Sequence, residues 1–442
     1  MWRGLGLLLC VLALAGPAAA ADIPTGAGAI SVAGEHALSD RLTEYTLNTP
    51  ALAAPTNVRV LLPADYAANP TRRYPVLYLL HGCCDADVDG SQAWTTHGEA
   101  EKSTAGLDLI VVMPAGGKGG FYTDWYNDGN GGAPAYETYH IKQLIPWVDK
   151  TFRTRAARSG RAIAGLSMGG FGAMSYAARH PDLFVSASAF SGAVDIEDEA
   201  VGEEVDALGL LDGGTPTTIF GNKYDQEIRW RAHNPVDLAG NLRGLNLTLR
   251  TGNGLPGGAY GGGPDPVEVI VHKQMTTLTG TLDRMEIPHV WDDYGPGAHA
   301  WGYWANDLRE TLPDIMATFA DPPAAPKRVT FTAVEPTYSV YGWKVSFADR
   351  PLEFSTLQNA GRRGFALNGS GLATVTTPPR YRPGKRMTVT FAGMHGMQTT
   401  RVKAGPGGRL RLPIDLAPAN AAQQDTPGAT TAIRRVAVRI RR

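Results

Sequence analysis

Cysteine is scarce in this chain, with three residues in 442. Cys10 falls in an N-terminal apolar stretch, which leaves only the adjacent Cys83 and Cys84. Neighbouring cysteines can bridge each other only in a strained ring, so no disulfide framework is expected and the fold must rest on core burial. The pair has no further Cys or His at zinc-site spacing. A phosphate-binding loop opening a helix, a His-rich tract and a dinucleotide fingerprint are all missing, so no metal and no cofactor are expected. Nor is there a recognition motif for nucleic acid, which is excluded as a partner. Internal repeats and low-complexity tracts are absent apart from a Gly-rich loop over 252–263. Long apolar runs are absent too. The stretch Leu5–Leu14 is too short to cross a bilayer.

That stretch has another reading. Arg3 ahead of it and Ala18-Ala19-Ala20 behind it form the basic, apolar and small-residue parts of a signal peptide spanning residues 1–21. The mature protein is therefore expected to be secreted and soluble. Its length suits two or three domains rather than one.

Charge divides the chain. From Pro322 onward, 19 Lys and Arg stand against 5 Asp and Glu; before it stand 22 basic and 37 acidic residues. The formal net charge of −1 thus hides a strongly dipolar molecule. The boundary falls at Asp321-Pro322-Pro323-Ala324-Ala325-Pro326, a stiff segment that ends helices. Residues 22–321 alternate apolar strand-like runs with helical patterns. The runs are 76–80, 109–113, 162–164, 186–190, 245–249 and 289–294; the helices are 141–152, 170–179, 267–285 and 303–320. Such alternation predicts an α/β fold, with a mostly parallel sheet covered by helices on both faces. Residues 327–442 change texture to short β-branched runs between Gly and Pro turns, predicting a basic antiparallel β-sandwich. Its excess of arginine fits an anionic cell-envelope polymer or lipid surface, or docking against the acidic first domain.

The chemistry centres on Gly165-Leu166-Ser167-Met168-Gly169. A strand-like run precedes it and a helix-like run follows, the setting of a nucleophile elbow in an α/β-hydrolase. The serine hydroxyl needs a base, and in this fold the order is nucleophile, acid, histidine. Of the ten histidines, His299 is best placed, in a loop after the last strand. His272 and His289 fall inside a helix and a strand, and His233 precedes the acid candidates. The acid should lie between 249 and 299, where Asp265-Pro266-Val267-Glu268 opens a helix. Asp at the N-cap and Glu at the third helical position are also a helix-capping pattern, so Asp265 and Glu268 both remain open. Two backbone N–H groups should form the oxyanion hole: that of Met168, and that of Cys83 in the loop after the first central strand.

With these residues in place, the chain resembles the antigen 85 mycolyltransferases and the wider esterase D-like group of secreted esterases. The resemblance runs from about Tyr74 to Leu308. It rests on Tyr78-Leu79-Leu80-His81-Gly82, Phe121-Tyr122-Thr123-Asp124-Trp125-Tyr126, the elbow, and Gly297-Ala298-His299-Ala300-Trp301-Gly302-Tyr303-Trp304. It implies Ser167 and His299 as nucleophile and base, and by spacing Glu268 as the acid over Asp265. It also implies His81, Asp124, Trp125 and Trp301 as walls of the substrate site. The trehalose-using transferases carry Asp-Gly-Leu-Arg where this chain has His81-Gly82-Cys83-Cys84. The expected function is a secreted serine esterase acting on acyl or lipid esters, with the basic C-terminal domain as the expected means of cell-wall association. The alternatives are acyl transfer to a sugar or glycerolipid hydroxyl, and a non-catalytic envelope- or matrix-binding protein on the same scaffold.

Overall fold

The computed structural model describes residues 23–84, 90–198, 205 and 207–442. The segment 1–21, expected to be a signal peptide, lies outside them. Among the described residues no helix is long and apolar enough to cross a membrane.

Nine strands form the first sheet: β1 (Ser31–Ala37), β2 (Leu42–Asn48), β3 (Thr56–Leu61), β4 (Val76–Leu80), β5 (Ile110–Pro114), β6 (Arg161–Leu166), β7 (Ser186–Phe190), β8 (Asn246–Thr251) and β9 (Val290–Asp293). Their order is β1-β2-β3-β5-β4-β6-β7-β8-β9. The pairs from β5 through β4 to β9 are parallel, while β1, β2 and β3 add an antiparallel edge. The central strands β4 to β7 are buried at every residue, which is why β4 and β5 read as unbroken apolar runs.

Strand periodicity splits those runs between two cores. Val76, Tyr78, Leu80 and Ile163 face one core with Phe171 and Met174 of the helix Met168–Arg179 and Leu278 of the helix Pro266–Arg284. Leu77, Leu79, Ala162 and Ala164 face the other, against Leu308, Leu312 and Ile315 of the helix Trp301–Ala320. Helices therefore cover both faces, as the alternation predicts. The edge strand β1 was not legible because it is solvent-exposed along nearly its whole length and carries no apolar pattern.

From Val329 the described residues build ten further strands, β10 (Val329–Ala333) to β19 (Arg434–Arg441), in two antiparallel sheets of six and four. Phe331, Leu367, Val389 and Val438 of one meet Trp343, Val345, Val375 and Leu412 of the other in a shared core. The sandwich meets the first sheet's helices through ion pairs: Arg179 with Glu335 at 2.5 Å and Arg231 with Asp425 at 2.9 Å. Asp182 Oδ2 also accepts from the Tyr341 N–H at 2.9 Å. These pairs put the cations on the hydrolase side and the acids on the sandwich side. In these two pairs the charges are thus the reverse of those expected for basic residues of the sandwich docking on acids of the first domain.

Behind the helix Met168–Arg179 lies a buried histidine. His140 places Nε2 3.0 Å from the Ala115 carbonyl and Nδ1 3.0 Å from the Tyr176 hydroxyl. The carbonyl can only accept, so the neutral ring donates at Nε2 and accepts at Nδ1. Burial pushes its pKa down to about 3. In the unfolded chain an ordinary histidine takes up its proton near pH 6.5, so the unfolded state binds more protons between those values and stability falls as pH drops through that window. At pH 5 the loss is about 2 kcal/mol. A melting temperature a few degrees lower at pH 5 than at pH 7, with the difference reduced in His140→Gln, is the expected result of thermal melts.

Candidate active site

The elbow is a turn in which two backbones almost touch. A Cβ on Gly165 would lie 2.3 Å from the Gly169 carbonyl oxygen, and one on Gly169 would lie 2.5 Å from the carbonyl oxygens of Leu80 and His81. Only glycine allows β6, the following helix and the end of β4 to converge there. Ser167 between them has φ 52° and ψ −121°, a conformation L-residues rarely adopt. This strain lifts its side chain off the sheet's C-terminal edge.

Ser167 Oγ stands 2.9 Å from His299 Nε2, and His299 Nδ1 stands 2.8 Å from Glu268 Oε2. Ser167 and His299 are partly exposed, while Glu268 is fully buried. The other carboxylate oxygen, Oε1, accepts from Ser191 Oγ at 2.8 Å, Thr251 Oγ1 at 2.9 Å and the Gly252 N–H at 2.8 Å. A group that accepts from so many donors is held as an acceptor, which places the imidazole proton on Nδ1. Nε2 is then left to accept from the serine hydroxyl. Trp304 meets the His299 ring edge-on, with centroids 4.8 Å apart.

The two acid candidates separate cleanly by contact. Asp265 caps the helix Pro266–Arg284: its Oδ1 accepts from the N–H groups of Val267 and Glu268. Its Oδ2 accepts from the backbone N–H of His299 at 2.8 Å, not from the ring. Asp265 thus fastens both ends of the Glu268–His299 contact. Of the other histidines, His272 faces Asp293 at 2.9 Å and His233 is buried against Phe220.

Met168 is the first residue of its helix, so its N–H has no intrahelical acceptor. A Cβ on Gly82 would lie 2.5 Å from Leu166 Cδ1 and 3.3 Å from Ser167 Cβ, which sets the Gly82–Cys83 peptide directly against the elbow. Cys83 and Cys84 are bonded to each other. The bond joins immediate neighbours and so ties no distant segments together. The loop stretch 85–89 beyond it is outside the described residues.

The four side chains read as substrate walls are mostly used by the protein itself. The His81 ring accepts from the Gly116 N–H at Nε2 (2.8 Å) and lies 2.6 Å from the Gly82 carbonyl at Nδ1. Asp124 accepts from the Thr138 N–H and hydroxyl, at 2.8 and 2.6 Å. Trp125 is buried and donates to the Gly120 carbonyl at 3.1 Å. Asp124 and Trp125 thus brace this loop; Trp125 does so from inside, whereas Asp124 stays partly exposed. Trp301 also keeps exposed surface and meets Trp94 edge-on, with ring centroids 5.4 Å apart. Tyr122, in the same aromatic block, donates to the His81 carbonyl at 2.9 Å and so supports the loop that carries Cys83. Ser191 and Thr251 were missed by sequence reasoning. Their only signal is position, one at the end of β8 and one just past β7, on the edge where the site collects.

A strained serine at the C-terminal edge of a mostly parallel sheet, facing a late-loop imidazole, defines the class as an α/β-hydrolase fold. The chain belongs to the putative esterase family, whose sequence profile matches residues 49–315. Esterase Rv1288 of Mycobacterium tuberculosis is 35% identical over 274 residues, 59% of this chain and 56% of that protein. The chain thus spans about half the length of that relative. The diacylglycerol acyltransferase/mycolyltransferase Ag85B of Mycobacterium leprae is 30% identical over 317 residues, 68% of this chain and 92% of that protein. Among solved structures, MPT51 of Mycobacterium tuberculosis aligns with a TM-score of 0.52 at 24% identity, covering 62% of this chain and 97% of its own; this likeness is one of fold. The resemblance drawn from the aromatic blocks is borne out at the level of family.

Proposed function

We propose that this chain is an exported serine esterase that cleaves acyl or lipid esters through an acyl-enzyme. The observation that carries the reading is the continuous run of contacts from Ser167 Oγ through His299 to Glu268, at 2.9 and 2.8 Å. In this reading Ser167 Oγ attacks the ester carbonyl while His299 Nε2 takes its proton. The N–H groups of Met168 and Cys83 stabilise the oxyanion. Collapse expels the alcohol, which leaves with the proton from His299. Water then attacks the acyl-enzyme, again deprotonated by His299, and the free acid departs as Ser167 recovers its proton. Glu268 holds the ring and balances the imidazolium. Residues 22–321 form the catalytic domain and 327–442 a separate basic domain.

Acyl transfer is the second reading, favoured by the similarity to the Ag85B transferase. It needs only that a sugar or glycerolipid hydroxyl replace water in the second step. Against trehalose as that acceptor, the sulfur of Cys84 is bonded to Cys83 and both ring nitrogens of His81 are engaged within the protein.

A fluorescent fatty ester, turned over with and without trehalose or diacylglycerol, separates the two. Free acid as the product throughout is expected; diversion into an acylated acceptor would make it a transferase. A fluorophosphonate probe is expected to label wild-type protein at Ser167. Failure to label would end the catalytic reading and leave a binding protein on a hydrolase scaffold.

A further inference from the structure

The final strand, β19 (Arg434–Arg441), runs through the middle of the six-stranded sheet, between β14 (Gly364–Gly369) and β16 (Arg386–Gly393). Val436, Val438 and Ile440 point into the sandwich core, so alternation turns Arg435, Ala437, Arg439 and Arg441 outward. The residues beside that outward row are small. Arg439 is paired with Gly364 on one side and Thr390 on the other; Ala437 with Ala366 and Ala392; Arg441 with Thr388. Small neighbours leave the arginines standing along the floor of an open trough of about 1100 Å³. Its rim adds Arg362 and Arg363 from the β14 side and Arg382 and Lys385 from the β16 side.

Ten of the twenty residues lining the trough are Arg or Lys, and none is Asp or Glu. Among the described residues, none of these ten takes part in an ion pair, whereas the contact with the hydrolase sheet uses Glu335 and Asp425 of the sandwich instead. So many uncompensated cations repel one another, and nothing among the described residues relieves that repulsion. An anionic partner would.

We infer that this trough binds a linear acidic polysaccharide, laid along β19. The in-line arrangement favours a chain: side chains two apart on one face of a strand are separated by roughly 7 Å, so Arg435, Arg439 and Arg441 offer charge at repeating intervals. A lipid surface fits less well. The apolar residues of the trough, Phe365, Val438 and Ile440, are buried in the sandwich core and have nothing to insert into a bilayer. The inference is independent of catalysis, and Ser167→Ala protein serves to test it.

The probe is polygalacturonate, with neutral dextran, phosphatidylglycerol/phosphatidylcholine vesicles and single-stranded DNA as comparisons. Full-length protein is expected to bind polygalacturonate but not dextran, and to lose at least tenfold in affinity between 50 and 300 mM NaCl. Arg439→Ala/Arg441→Ala should weaken binding at least tenfold, and the rim pair Arg382→Ala/Lys385→Ala at least threefold. Lys344→Ala/Arg411→Ala, exposed on the other sheet, should stay within twofold. Because the rim pair lies outside the strand, its loss of binding with an unchanged thermal melt separates recognition from misfolding. No binding at 50 mM NaCl, equal binding by the trough and control variants, or capture by vesicles or DNA in preference to polygalacturonate would each overturn the proposal.

Discussion

Ser167→Ala is expected to lower kcat on a fatty ester by roughly 10⁴- to 10⁶-fold, and His299→Ala by a similar factor. The two groups act as one unit, since the hydroxyl is a nucleophile only while the imidazole 2.9 Å away can take its proton. Once either is gone, the other has nothing left to contribute. The double variant should therefore be no slower than the singles, at a floor set by binding and the oxyanion donors. KM should change little, because neither group is the main source of ground-state affinity. Steady-state kinetics with a mass check for contaminating esterase decides the matter. Turnover within tenfold of wild type in Ser167→Ala would mean that the reaction proceeds elsewhere.

Glu268→Gln should cost about 10³- to 10⁴-fold in kcat while leaving the fold intact. The reason lies in how the carboxylate is held. Its Oε1 position accepts from Ser191, Thr251 and the Gly252 N–H, so the amide oxygen of glutamine must settle there. The amide nitrogen is then turned toward His299 Nδ1 and offers a proton where one is already needed. The ring must move its own proton to Nε2, the wrong nitrogen for receiving the serine's. Asp265→Asn is the informative contrast, because Asp265 meets only the backbone of His299. Its loss should stay within about tenfold, and if the two losses were reversed in size the assignment of the acid would be wrong.

Much of this site was legible in the chain itself. The elbow, the late-loop histidine and the two amide donors follow from a strand, a turn and a helix that local pattern declares. Local patterns also located all six parallel strands, most plainly β4 and β5, which are buried on both faces and carry unbroken apolar runs. The antiparallel edge β1–β3 escaped, being too exposed or too mixed to show a period. The surroundings of Asp124 and Trp125 were not legible for a different reason. An aromatic and acidic block looks alike whether it faces a substrate or braces a loop, and only burial and hydrogen bonding tell these apart.

Sequence alone singled out Ser167 and the class of fold, since tight backbone crossings admit only glycine and apolar runs alternating with helical patterns make a parallel sheet between helices. Tertiary structure decided which of two carboxylates three residues apart turns its oxygen to the imidazole. That depends on how the helix Pro266–Arg284 packs beside the end of β8, a relation between segments that no local pattern contains. It also decided that arginines scattered from 328 to 442 become one trough, because antiparallel register brings neighbouring strands side by side. Local chemistry is written in neighbours along the chain; a binding surface is written in neighbours across it.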